Sequence, residues 1–311
     1  MILDLPGGRR LGYHVFGDPD GVPCLFVHGY SSSRWAAGWT LGEGEPRRRG
    51  IRVVSVDRPG YGLSTPRPGA GFTDWAEDAA LLVEPFGRVA VVGVSMGAGP
   101  ALALAAARPD LVVSATILGG MPPVGARERW APDSRADALY WRLARHAPAL
   151  LRGLCAMSTR SMASMARESD GADRLVAAVS RTLPPADLTV FRDLLAREKP
   201  QATNQHVTAG EDVRAAFVAD VRETCRQGGA AMAEDLLRYL RPWGFEPEDV
   251  TVPVHLWHGL EDPKVPVALA RRLAGRLPQV TARFVPGGHF AVFAHRAEIL
   301  DRIAHEGSRR P

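Results

Sequence analysis

The sequence predicts an α/β protein, and three observations carry that expectation. Eight short strand-like runs recur along the chain, several of them continuously apolar, as in strands buried on both faces. Helical patterning separates these runs up to residue 118 and again from residue 252. Between one such run, residues 89–94, and an alanine- and leucine-rich run, residues 101–107, stands Gly93-Val94-Ser95-Met96-Gly97. Strand, very tight turn and helix, with a serine at the apex, is the context that gives a G-x-S-x-G pattern meaning.

Taken in order, residues 2–5 and 9–16 form an opening hairpin across Pro6-Gly7-Gly8. Residues 25–27 and 52–56 are buried strands, and Arg47-Arg48-Arg49 before the second is a solvated helix end or loop. Residues 74–86 read as a helix opened by an Asp74/Glu77 capping pair. After the strand at 89–94, Pro100 falls in the first turn of the next helix, where its missing N–H has no helical partner anyway. A strand at 115–118 ends in Gly119-Gly120-Met121-Pro122-Pro123. There the alternation stops. From Val124 to Arg241 only helical patterning is found, broken at Pro184-Pro185 and Gly228-Gly229. Strands resume at 252–257 and 281–285, separated by a helix at 267–277 and followed by one at 294–304. Residues 1–123 and 242–311 therefore read as one core, and 124–241 as an inserted helical lid.

Composition fits a globular enzyme. At 311 residues with 46% hydrophobic residues, the chain suits one large α/β domain with an insertion. The net charge of +4 is spread over dispersed arginines rather than one basic stripe, so no nucleic-acid partner is expected. Cys24, Cys155 and Cys225 are odd in number, far apart and without a C-x-x-C, as in a reducing compartment. No apolar stretch reaches membrane-span length, and the first residues lack an apolar signal core, so a cytoplasmic location without a membrane partner is expected. His255 and His258 have a metal-like spacing, but on a strand residues three apart face opposite sides. Neither a metal nor a cofactor is expected.

The chemistry centres on Ser95. A serine hydroxyl needs a base, and among nine histidines His289 is singled out by its loop, Pro286-Gly287-Gly288-His289-Phe290, at the end of the last strand. The acid that orients the imidazole should lie between serine and histidine in the chain. Asp262 does, in His258-Gly259-Leu260-Glu261-Asp262-Pro263 after the preceding strand. Asp262 is favoured over Glu261 because the residue before a proline is held extended. Ser95, Asp262 and His289 thus all follow strand ends. Two backbone amides are expected to receive an oxyanion: Met96, at the helix start, and Tyr30, after the strand that ends in Val27-His28-Gly29. His28 reads as structural, since no acid follows it in the required order. Asp57 and Ser64 read as loop-shaping through side-chain to backbone bonds.

His28-Gly29, the run from Asp57 through Arg58-Pro59-Gly60-Tyr61-Gly62-Leu63 to Ser64, Gly93 to Gly97, Gly259 to Pro266, and Gly288-His289 together resemble the α/β-hydrolase superfamily, in particular its bacterial esterase-like members. The resemblance covers nearly all of the chain except the middle. It implies a mostly parallel eight-stranded sheet with helices on both faces and a helical lid after the sixth strand. It also implies Ser95, Asp262 and His289 as the triad and Tyr30 and Met96 as oxyanion donors. One departure stands out: where relatives often carry Pro-Gly after His-Gly, this chain has Tyr30-Ser31-Ser32-Ser33.

The expected function is hydrolysis of an ester, lactone or related acyl bond of a small, largely apolar molecule through an acyl-enzyme. The alternatives are a non-hydrolytic enzyme on the same fold (a lyase, an acyltransferase or a cofactor-free perhydrolase) or a catalytically idle binding protein. Within the lid, Met157, Met162 and Met165 at helical spacing, with Trp130, Tyr140 and Trp141, read as core or as an adaptable apolar pocket; Arg160, Arg167 and Arg181 read as solvated.

Overall fold

The computed structural model describes residues 1–125, 130–168, 170–196 and 213–308. In chain order the elements are β1 (Ile2–Leu5), β2 (Arg9–Gly17), β3 (Val22–Val27), α1 (Ala36–Leu41), α2 (Gly44–Arg48), β4 (Ile51–Val56), α3 (Phe72–Val83), β5 (Val89–Val94), α4 (Ala98–Ala107) and β6 (Val112–Leu118). Then come α5 (Arg135–His146), α6 (Pro148–Met165), α7 (Gly171–Ser180), α8 (Pro185–Ala196), α9 (Val213–Thr224) and α10 (Ala230–Tyr239). The chain closes with β7 (Val254–Gly259), α11 (Val267–Arg276), β8 (Val280–Val285) and α12 (Arg296–Ser308).

The strands form one eight-stranded sheet in the order β1-β2-β4-β3-β5-β6-β7-β8. The β1–β2 and β2–β4 pairings are antiparallel and the rest parallel. Alternate residues of each central strand feed two separate apolar layers. Leu25, Val27, Val89, Val91, Ala115 and Ile117 pack with α3, α4 and α11. Cys24, Phe26, Ile51, Val53, Ala90 and Val92 pack with α1 and α12 on the other face. Burial on both sides is why these strands read as continuous apolar runs rather than alternating ones.

Strand order reverses between β3 and β5. The connection leaving β3 crosses outward to β4, and the one leaving β4 crosses back to β5. A crevice at the carboxyl ends of strands that diverge in this way is where open α/β sheets place their ligands. The segments after β3 and β5 are those holding Tyr30 and Ser95.

Several boundaries shift from the sequence reading. The helix read at 74–86 begins at Phe72 and stops at Val83. Asp74 is its third residue rather than its cap, and its Oδ2 accepts the Gly71 amide at 2.8 Å. Glycine at the cap has no side chain to offer, so the first-turn carboxylate takes over the reciprocal half of the capping arrangement. The short helices α1 and α2 escape periodicity because each spans fewer than two turns. Between β6 and β7 the described residues form helices joined by turns and loops and contain no strand; parts of the segment read as a lid (126–129, 169 and 197–212) lie outside the described residues. Among the described residues no helix is long and apolar enough to cross a membrane.

Candidate active site

The elbow is built by close approach. Ser95 holds a left-handed backbone, φ 52, at the junction of β5 and the short turn leading into α4. A Cβ on Gly93 would stand 2.7 Å from the Gly97 carbonyl oxygen and 2.8 Å from Ala101 Cβ. One on Gly97 would overlap the Val27 carbonyl. Glycine at both positions lets strand, helix and the neighbouring β3 close around the serine. Gly29 lies directly opposite, since its Cβ would be 3.2 Å from Ser95 Cβ. The chain therefore passes close to Ser95 at Gly29, one residue before Tyr30. Met96 sits at the start of the helical turn, where N–H groups have no helical partner.

Asp262 and His289 meet. His289 Nδ1 donates to Asp262 Oδ2 at 2.7 Å, while the amides of Lys264 (2.8 Å) and Val265 (3.0 Å) donate to Oδ1. Burial pushes the Asp262 carboxyl up, but the interaction with His289 and the Val265 amide outweigh it, and the net direction is down. An ionised carboxylate only accepts, so the imidazole proton sits on Nδ1 and the lone pair on Nε2. The neighbouring Glu261 is exposed and turns elsewhere, accepting from the Gly287 amide. The His289 ring rests over Gly119, whose Cβ would be 3.3 Å from Cε1. Two residues on, Met121 N donates to the Ser95 carbonyl at 3.0 Å. One loop after β6 thus touches both the imidazole and the elbow. Among the described residues Ser95 Oγ makes no hydrogen bond to His289; such contacts are often long in a free enzyme and tighten on binding.

Three other histidines of the described core face partners of their own. His28 Nδ1 donates to Gly29 O at 2.8 Å and Nε2 accepts the Arg58 amide at 3.1 Å. Burial, then the Arg58 charge, holds it well below the ordinary imidazole range, hence neutral. His258 Nε2 donates to Val265 O at 2.8 Å and lies 3.5 Å from Asp262 Oδ2, whereas His255 faces Glu306 of α12. The two leave β7 on opposite sides. Asp57 shapes its loop, accepting from the Arg34 and Leu63 amides at 2.8 and 2.9 Å, and Ser64 Oγ donates to the Asp57 carbonyl at 2.7 Å.

What sequence reasoning missed is the extent to which the helical segment reaches into these loops. Asp187 of α8, fully buried, accepts the amides of His289 (3.0 Å) and Phe290 (2.8 Å). Asp220 of α9 accepts from Ser33 N (2.6 Å), Ser33 Oγ (2.8 Å), Ser32 Oγ (2.9 Å) and Trp39 Nε1 (3.0 Å). Burial pushes its carboxyl up to about 6 against the pull of those donors. Asp235 of α10 pairs with Arg58 through two contacts of 2.7 Å and accepts the Tyr61 hydroxyl at 2.7 Å. Arg58 Nη2 in turn donates to Gly29 O at 2.7 Å. Tyr239 OH donates to Met96 O at 2.9 Å and accepts the Gly99 amide at 3.0 Å. Before α5, Asp133 N donates to Pro263 O at 2.8 Å. The only hint in the sequence is the serine run after Gly29, rich in donors where relatives often carry Pro-Gly. Asp187, Asp220 and Asp235 look like any acid in a helix.

The residues singled out in the segment read as a lid separate. Trp141 is buried and packs edge-on against Trp130, ring centres 5.2 Å apart, as core. Met157 is 62% exposed and fills neither core nor pocket. Met162 and Met165 are half-buried against the two apolar layers. Tyr140 reaches the loop after β3, its ring 6.5 Å from that of Tyr30, whose hydroxyl lies 3.8 Å from Cys155 Sγ.

Known proteins share the fold. Residues 22–295 match the family described as alpha/beta hydrolase fold. The chain is 29% identical over 247 residues to a pimeloyl-[acyl-carrier protein] methyl ester esterase of Aromatoleum aromaticum, covering 79% of this chain and 83% of that protein. It is 31% identical over 130 residues to an (E)-2-((N-methylformamido)methylene)succinate hydrolase of Acinetobacter baylyi, a match spanning 40% of this chain and only 48% of that protein. Among solved structures, an alpha/beta hydrolase fold protein from Nakamurella multipartita superposes with a TM-score of 0.62 at 18% identity, over 99% of both chains. With the sheet order, the elbow and a family match across most of its length, the chain belongs to the alpha/beta hydrolase fold family.

Proposed function

We propose that the protein is a serine hydrolase that cleaves an ester, lactone or related acyl bond of a small, largely apolar molecule. The observation that carries this reading is a left-handed serine at a strand–helix turn, linked through the loop after β6 to a buried His289–Asp262 pair joined at 2.7 Å. In the reaction, Ser95 Oγ attacks the acyl carbon as His289 Nε2 takes its proton. The carbonyl electrons move to oxygen, where the amides of Tyr30 and Met96 receive the charge. The C–O bond to the alcohol then breaks, the imidazolium returns the proton to the leaving oxygen, and water repeats the sequence to free the acid. The similarity to a methyl ester esterase supports an ester as the scissile bond.

The deciding experiment is active-site labelling. Intact protein gains one fluorophosphonate adduct, mapped by peptide mass spectrometry to Ser95, and Ser95→Ala gains none. An adduct on another serine overturns the assignment. Labelling at Ser95 with no turnover of any ester or lactone in a broad panel favours a non-hydrolytic acyl transfer instead.

The helical segment between β6 and β7 is proposed as the lid that selects the acyl group, and Tyr140 is the residue through which it does so, because its ring faces Tyr30 of the oxyanion loop. Tyr140→Ala shifts the preference between short and long acyl chains by about tenfold, the scale of one or two methylenes in an apolar pocket. Unchanged ratios of kcat/KM across a chain-length series would remove Tyr140 from the pocket wall.

A further inference from the structure

Two non-glycine residues of the described chain hold a left-handed backbone: Ser95 and Ser31, both at φ 52. The elbow accounts for Ser95. Ser31 stands in an open loop, where a side chain clashes with the following carbonyl and the conformation persists only if the surroundings over-determine it. The surroundings do so from both sides. On one side the Gly29 carbonyl accepts from His28 Nδ1 at 2.8 Å and from Arg58 Nη2 at 2.7 Å. On the other, Asp220 takes the Ser33 amide at 2.6 Å and both serine hydroxyls, with the Trp39 indole behind it. Between these anchors lies Tyr30, directly after Gly29, which passes close to Ser95.

We infer that Asp220 is a positioning residue for the oxyanion hole: from α9 its carboxylate fixes Ser32 and Ser33, so that the chain from Gly29 closes only through a left-handed Ser31, and the direction of the Tyr30 amide is thereby set. The helical segment is then part of the catalytic machinery as well as its cover. Asp220 touches no substrate; it acts through the loop. Asparagine in its place has the same shape, but its NH₂ meets an obligate donor whichever way the amide turns, the Ser33 amide on one side or the Trp39 indole on the other, and its single oxygen accepts more weakly than a carboxylate, so the hold on Ser33 is weakened. Released on that side, Ser31 relaxes toward ordinary backbone and the Tyr30 amide swings off its line. The inference rests on the reading of Ser95 as nucleophile and Tyr30 N as oxyanion donor.

The test uses three variants of the full chain on an activated ester. Asp220→Asn lowers kcat by about 10²-fold, the scale of a lost oxyanion donor, with KM within about threefold of the parent. Affinity for a boronic acid that adds to Ser95 as a tetrahedral adduct falls in parallel with kcat, whereas the affinity for the alcohol product does not. Ser33→Ala lowers kcat about tenfold, a fraction of that effect. Trp39→Phe removes a donor from the far side of the same carboxylate; it lowers Tm without a comparable loss of kcat. Asp220→Asn with kcat within about twofold of the parent overturns the inference. So does a parallel fall of kcat, product affinity and Tm in all three variants, which is how a merely structural carboxylate behaves. If Asp220→Asn does not fold, Ser33→Ala against Trp39→Phe decides alone, and equal effects on kcat count against positioning. Failure of the underlying reading is seen separately, in a parent whose fluorophosphonate adduct maps away from Ser95.

Discussion

His289→Ala lowers turnover by about 10⁶-fold, and adding Ser95→Ala lowers it no further, because triad members act as a unit and the loss of one removes the function of the rest. The size of the effect follows from how His289 and the neighbouring histidines are bonded. His289 offers Nε2 because Nδ1 is committed to Asp262 at 2.7 Å. Both nitrogens of His28 are bonded, and burial beside Arg58 keeps it neutral without making a lone pair available. His258 spends Nε2 on the Val265 carbonyl. What survives in His289→Ala is the contribution of binding and of the oxyanion amides. The check is kcat for one activated ester in both single variants and the double, with thermal melts to show that each is folded. Activity within about 10²-fold of the parent in His289→Ala would pass the role to another base. His258 is then the first candidate, 3.5 Å from the same carboxylate.

Asp262→Asn lowers turnover by about 10⁴-fold, whereas Glu261→Gln stays within a few-fold of the parent. The Asp262 side chain is held by two backbone amides on Oδ1, those of Lys264 and Val265. Asparagine keeps that hold with its oxygen, which leaves its NH₂ facing His289 Nδ1. That nitrogen must then accept, so the imidazole proton moves to Nε2, where no lone pair remains to take the serine proton. The fold is retained and the tautomer is wrong. Glu261 is exposed, and its carboxylate accepts the Gly287 amide, a role that the oxygen of glutamine preserves. The reverse ranking of the two variants would move the acid to Glu261. Near-normal turnover in both would place it on another strand end.

Each element of the core is legible because its cause is local. Strands β3 to β6 announce themselves as apolar runs flanked by glycine, since both faces are covered by helices. The elbow is legible because Gly93 and Gly97 are demanded by backbone contact on either side of Ser95. The acid and histidine loops follow their strands with the same directness. Short helices such as α1 leave too little periodicity to find, and Gly71 conceals a helix start because its capping carboxylate, Asp74, lies inside the first turn.

By itself, then, the sequence determined the α/β order, the interruption after β6 and a serine placed at the one turn that only glycine-flanked chain can make. Local sterics and hydrophobic patterning suffice for those, and neighbours in sequence supply both. Tertiary structure alone decided which acids of the helical segment matter. Asp187, Asp220 and Asp235 stand 102, 187 and 177 residues from the partners His289, Ser33 and Arg58 that they hold. Their side chains are turned inward by the packing of helices whose own patterns look ordinary. A buried carboxylate is chosen by the donors that converge on it, and no periodicity records a convergence between segments so far apart in the chain.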